Sequence, residues 1–196
     1  MKIVKISPLA VLGAIALSVF QLPAAQAGDI YMLDKAHTQI KFSVNRGGWT
    51  RIAGWFGKFD GSIDFDEANV ENSSVETTIE TGSINTGFKR RDKHLVSPDF
   101  FNAIEFPTMT FKSTKIENTG ANSGKMTGDL TLLGVTKPVV MSIKFNRKAA
   151  HPRIKKTFVG FSATGELKRS DYGMKFALRG IGDEVRIAIE ALAVRK

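Results

Sequence analysis

Short runs of two-residue periodicity predict an all-β fold: an antiparallel barrel of about eight strands with a short helical insertion around residues 88–104. Three observations carry this. The apolar runs each last about 6–10 residues and alternate with polar positions. Turn chemistry separates most of them, as at Gly47-Gly48, Asn69–Ser74, Asn118–Gly124, Gly134 and Gly180–Asp183. No repeat of domain-building length and no strand–helix–strand alternation interrupts the pattern.

In chain order, the first 27 residues read as a leader outside the fold. Lys2 and Lys5 form a positive start, Leu9 to Phe20 an apolar run, and Ala25-Gln26-Ala27 a cleavage site. The run falls short of the roughly 20 residues of a spanning helix. The expected mature chain is one domain, residues 28–196, exported to the periplasm after cleavage behind Ala27. With no Cys anywhere, its stability does not depend on disulfides even in a compartment that permits them.

Thr38, Ile40, Phe42 and Val44 make the first inward row. Trp55, Gly57, Phe59, Gly61, Ile63 and Phe65 make the second, with Phe56 breaking its polarity and predicting a kink near Gly54–Gly57. Val75, Thr77, Ile79 and Thr81 form the third. A denser stretch, Arg90 to Ser113, follows. It opens with a charged turn or short helix from Arg90 to Val96, offers Ser97 and Asp99 around Pro98 as caps for a new helical turn, and brings Phe100-Phe101 against Phe106-Pro107 before Met109 and Phe111 resume alternation. Each of these aromatics gains on the order of 1.5–3 kcal/mol by burial, so the stretch is expected to plug a larger apolar assembly. The remaining rows are Met126, Gly128, Leu130 and Leu132; Val139 to Phe145; Val159 to Leu167; and Val185 to Ala191.

A closed barrel and a two-sheet sandwich both satisfy this pattern. Long strands and inward faces that mix Gly and Ala with large residues favour the barrel, which can hold one small ligand.

Charge and motifs exclude much. The chain carries a formal net charge of +9, two units of it in the leader. An exported protein rarely meets nucleic acid, so an anionic membrane surface or an acidic headgroup is the better partner for that charge, with most of these residues read as an ordinary solvated surface. The three His are far apart in sequence and show no metal-ligand spacing. There is no nucleophile elbow, phosphate loop or dinucleotide fingerprint. No enzyme activity, metal or cofactor is expected.

What the composition offers instead is apolar surplus: 14 Phe against 2 Tyr and 2 Trp. Phe fills a core or lines a cavity without needing a polar partner, and Met adapts to a long flexible ligand. The candidate lining is Phe42, Trp55, Phe59, Phe65, Ile79, Leu95, Phe100, Phe101, Met109, Phe111, Met126, Leu130, Phe161 and Met174. His37, Arg91, His94 and Tyr172 are the candidate polar groups at its mouth.

Ordered motifs along residues 31–192 carry a resemblance. They are Leu33-Asp34 with His37, Gly54-x-Phe56-x-x-Phe59-x-Gly61, and Arg91-Asp92-x-His94-Leu95 leading to Asp99-Phe100-Phe101. Phe106-Pro107, Gly128-Asp129-Leu130-Thr131-Leu132-x-Gly134-Val135-Thr136-Lys137-Pro138, Gly160-Phe161 and Arg169-Ser170-Asp171-Tyr172-Gly173-Met174 follow in order. Together they resemble the YceI-like family of exported polyisoprenoid-binding proteins. Gly47-Gly48-Trp49-Thr50 departs from it, in a loop expected at the cavity mouth.

The resemblance implies a lipocalin-like barrel holding a long-chain isoprenoid, a quinone-type or prenyl-diphosphate lipid, and no established reaction. The expected role is sequestration and carriage of that lipid. Two other classes stay open: a non-catalytic, stress-related interaction protein with a filled barrel, and an accessory to isoprenoid-quinone metabolism or electron transfer. The sequence leaves monomer and homodimer equally open.

Overall fold

The computed structural model describes residues 28–196; the expected leader lies outside them. Eleven strand segments form one continuous antiparallel sheet: β1 (Asp29–Leu33), β2 (Gln39–Arg46), β3 (Thr50–Phe56), β4 (Phe59–Phe65), β5 (Ser74–Glu80), β6 (Ile84–Asn85), β7 (Thr108–Gly120), β8 (Ser123–Leu132), β9 (Val135–Ala150), β10 (Thr157–Lys168) and β11 (Ile181–Arg195).

The ring β1-β4-β5-β7-β8-β9-β10-β11 closes when β1 pairs with β11. The barrel is therefore eight-stranded, and the remaining three segments prolong three of its strands. β1 and β2 run end to end along β11, with Leu33 opposite Ala193 and Gln39 opposite Glu190. β3 and β4 do the same along them, and β6 continues the line of β5 by pairing with β3. Closure leaves no free edge in the ring, which is how a small all-β domain avoids pairing with another chain.

The expected kink lies where β3 passes to β4. Gly57 and Lys58 leave the ladder, and their N–H groups donate to the Ser83 carbonyl at 3.1 Å and the Ser83 hydroxyl at 3.0 Å. The irregularity there shifts the strand's phase by one residue, so Phe56 and Phe59, three apart in sequence, both point inward.

The insertion comprises α1 (Lys89–Leu95) and the turns that follow it up to Pro107. It spans the place where β6 has no strand partner except β3. Thr81 bonds both backbone groups presented there: its N–H donates to the Pro107 carbonyl at 2.9 Å and its hydroxyl to the Phe106 carbonyl at 2.7 Å. The insertion, the β2–β3 turn, the β8–β9 turn and the β10–β11 connection all lie at one end of the barrel, the insertion end. Both described termini lie at the opposite end. No helix among the described residues is long and apolar enough to cross a membrane.

Candidate functional site

Inward rows from nearly every strand enclose an apolar cavity of about 660 Å³ that runs the length of the barrel. That is within the roughly 300–1,000 Å³ range of small-molecule sites. Phe42, Phe65, Ile79, Met109, Phe111, Met126, Leu130 and Phe161 project into it from the strands. Leu95, Phe100 and Phe101 reach it from the insertion, and Met174 from the β10–β11 connection. The alternation expected of β2, β5 and β8–β11 places these side chains as their rows imply.

Four candidate positions differ from the expected lining or mouth because of local geometry. Trp55 does not line the cavity: the phase change at Gly57-Lys58 turns it to the outer wall, half exposed, and puts Phe56 inside. His37 is also outside, on the bend between β1 and β2, where its Nδ1 lies 2.8 Å from Asp34 Oδ2. Burial would raise the Asp34 carboxyl, but the bonds from His37 and the Ala36 N–H outweigh it and hold its pKa below the ordinary value. Tyr172 is enclosed in the core rather than set at a mouth, and burial pushes its phenol up to about 12. Phe59 differs less. It is buried in the wall, packed in the same core cluster, but does not border the cavity.

Arg91 and His94 do line the cavity at the insertion end, and both make local hydrogen bonds. Thr86 collects the local polar groups. Its N–H donates to Asp92 Oδ1 at 2.9 Å, and its hydroxyl stands 2.5 Å from the same oxygen. Arg91 Nε donates to that hydroxyl at 2.6 Å and a terminal guanidinium N–H to the Thr86 carbonyl at 2.8 Å. Arg91 and Asp92 thus grip one residue instead of each other. His94 Nε2 lies 2.7 Å from Asp99 Oδ2, and its ring meets Phe100 and Phe176 edge-on with centroids 5.1 and 5.2 Å away. These bonds fix α1 over the barrel end.

Arg169 is almost fully buried and borders the same end. Its guanidinium donates to the carbonyls of Met174, Ile181 and Gly182 at 2.9, 2.9 and 3.0 Å, pinning the β10–β11 connection so that Met174 faces inward. Sequence reasoning missed this residue, since a motif arginine carries no sign of where its hydrogen bonds go.

Aliphatic lining was also underweighted. Val44, Ile52, Val185, Ile187 and Ile189 form much of the cavity near β2 and β11. Val44, Val185, Ile187 and Ile189 stand in the expected inward rows, whereas Ile52 belongs to none of them.

Apart from Lys41 on β2, the charged lining groups gather at the two ends with opposite sign. Arg46, Arg91 and Arg169 border the insertion end, Glu67 and Glu117 the other. Between them the wall is almost wholly hydrocarbon. Among the described residues no group of three or more His, Cys, Asp or Glu side chains could hold a metal ion. The arrangement suits a long apolar molecule whose anionic or polar end lies among the arginines.

Residues 31–193 match the family model of the YceI-like domain. A UPF0312 protein of Azotobacter vinelandii is 37% identical over 188 residues, covering 94% of this chain and 97% of that protein. Among solved structures, the Campylobacter jejuni YCEI protein has 36% identity and a TM-score of 0.70, covering 75% of this chain and 86% of that one. Burkholderia cenocepacia BcnA superposes with a TM-score of 0.75 at 25% identity, covering 82% and 99%. A polyisoprenoid binding domain from Saccharophagus degradans, at 16% identity and TM-score 0.64, shares the fold.

Proposed function

The chain belongs to the YceI-like domain family, and we propose that it sequesters and carries a long-chain polyisoprenoid, a quinone-type or prenyl-diphosphate lipid, inside the barrel. One observation carries this reading: a continuous, mainly hydrocarbon-walled cavity of about 660 Å³ whose charged lining groups, Lys41 of β2 excepted, stand at its ends. An apolar void of that size represents lost packing unless something occupies it. A barrel filled by its own side chains does not fit it.

Burial of a prenyl stem supplies roughly 0.8 kcal/mol per methylene-sized group, so ten carbons contribute about 8 kcal/mol before association costs. That is enough to hold a water-insoluble lipid in solution. It also makes spontaneous release slow, so unloading needs an acceptor. The leader, cleaved after Ala27, delivers the protein to the periplasm, between two membranes that supply such lipids. Arg46 and Arg91 at the insertion end meet a diphosphate or carbonyl headgroup with the guanidinium N–H groups left over from their local bonds.

The test is uptake by delipidated protein, titrated with a prenyl quinone and a prenyl diphosphate and read by native mass spectrometry. Ala163 lines the middle of the cavity, and Ala163→Phe would add a ring there. Saturable one-to-one uptake by the parent chain and its loss in Ala163→Phe support the proposal. Uptake that survives the substitution places the lipid elsewhere and overturns it.

A further inference from the structure

Large hydrophobic side chains left exposed are not evenly distributed over this barrel. Ten stand out among the described residues, and five of them sit on connections at the insertion end. Trp49, at the tip of the β2–β3 turn, is 92% exposed, and Ile104, at the tip of the insertion, is 95% exposed. Phe88, just before α1, and Phe176 and Leu178 in the β10–β11 connection complete the group at 55, 43 and 38%. Connections at the other end contribute only Ile154. Single exposed apolar residues need no explanation, but five on adjacent loops of one rim do.

The loops adjoin. Arg46 at the end of β2 donates to the Gly180 carbonyl at 2.8 Å, tying the Trp49 turn to the β10–β11 connection. Phe176 stacks edge-on against Phe100 at 5.3 Å and against His94 of α1, tying that connection to the insertion.

Charge follows the same division. Residues 46–51, 86–107 and 168–180 carry ten Lys or Arg against four Asp or Glu. At the opposite end the connections 66–73, 121–122 and 151–156 carry three of each sign. The excess positive charge of the described residues is therefore concentrated on the rim that bears the exposed Trp and Ile.

We propose that the insertion end is a docking surface for an anionic lipid bilayer. Trp49, Ile104 and Phe88 enter the headgroup region, while Lys89, Arg90 and Lys93 lie against its negative charge. Trp is the residue type best suited to that boundary, and apolar insertion joined to basic charge is how a protein rests on a membrane without spanning it. A solvated basic face would not need bare Trp and Ile at its tips, and a purely hydrophobic protein interface would not need exposed cations such as Lys89, Arg90 and Lys93 beside them. This deepens the carrier reading, on which it rests for its purpose: the docked rim is the one where Arg46, Arg91 and His94 border the cavity.

The experiment uses the chain from Gly28 to Lys196, which holds the whole barrel, with vesicles of phosphatidylglycerol and phosphatidylcholine or of phosphatidylcholine alone. Trp55→Phe leaves Trp49 as the sole Trp reporter. Expected are co-sedimentation and a blue-shifted Trp49 emission with the anionic vesicles, both weakened by salt. The double substitution Trp49→Ser, Ile104→Ser touches no cavity residue and is expected to lower partitioning at least tenfold without changing bound lipid by native mass spectrometry. No partitioning, equal partitioning to neutral vesicles, or partitioning that the double variant retains would overturn the proposal. Docking by a chain whose cavity takes up no lipid would sustain the surface and defeat the carrier reading; a loaded chain that ignores vesicles would do the reverse.

Discussion

The ring of Phe42 lies across Gly54, its directly paired neighbour on β3, with ring atom Cζ 2.5 Å from where a Gly54 Cβ would stand. The same Cβ would meet the Asn85 carbonyl of β6 at 2.9 Å, and that backbone cannot move aside. An aromatic ring covering a strand glycine is thus one of the tiles of the cavity wall. Gly54→Ala is expected to destabilise the barrel by about 1–3 kcal/mol through overpacking and to turn Phe42 into the cavity. Thermal unfolding checks the first effect, and a reduced capacity for bound lipid the second.

Thr86 anchors the insertion through both Arg91 and Asp92. Thr86→Val keeps the shape and removes the hydroxyl, leaving the Asp92 carboxylate with the Thr86 N–H and the Arg91 guanidinium with the carbonyl. The expected cost is about 1–3 kcal/mol, most of it local. Hydrogen exchange should quicken across residues 86–107 while β8 to β11 keep their protection, and lipid release should accelerate with it. Uniform loss of protection would contradict a local anchor.

Arg169→Leu removes the donor for three backbone carbonyls at once. Unpaired buried carbonyls carry penalties of about 1–3 kcal/mol apiece, partly relieved by water, so a loss of about 3 kcal/mol is expected in urea denaturation. The same change removes a positive charge near the Asp183 carboxylate, whose pKa burial raises but the Ser170 hydroxyl and N–H, which remain, hold low.

Tyr172 sets an alkaline limit. Its phenol titrates near 12 in the folded chain, above the ordinary value, because burial disfavours the phenolate. The unfolded chain loses this proton near pH 10, so between there and pH 12 the folded state binds the extra proton and stability falls as pH rises. The loss is on the order of 2 kcal/mol across that window. Tyr172→Phe should flatten that part of the stability–pH curve relative to the parent chain; an unchanged slope would show that the buried phenol does not titrate as described.

Much of the cavity was legible because a strand's period of two is a local property. Knowing that Ile40, Phe42 and Val44 share a face needs no knowledge of the rest of the chain, and the same holds for Met126 to Leu132 or Phe161 to Leu167. Trp55 was misassigned because the phase of β3 relative to β4 depends on Ser83, 26 residues beyond Gly57, holding two residues out of the ladder. His37 and Tyr172 show the same limit. Polar residues in family-like motifs read equally well as rim groups, and only the folded path places His37 against Asp34 on the outer wall and Tyr172 inside the core. The exposed rim was illegible for a further reason: Trp49 and Ile104 look apolar in any sequence, and it is their position at loop tips that bares them.

The carrier account is tested most directly by native mass spectrometry of the chain purified without detergent from cells that export it, followed by organic extraction. The account predicts a single stoichiometric adduct that extracts as a polyprenyl compound and is missing from Ala163→Phe. A clean unliganded mass, together with no uptake of added prenyl lipid, would contradict it.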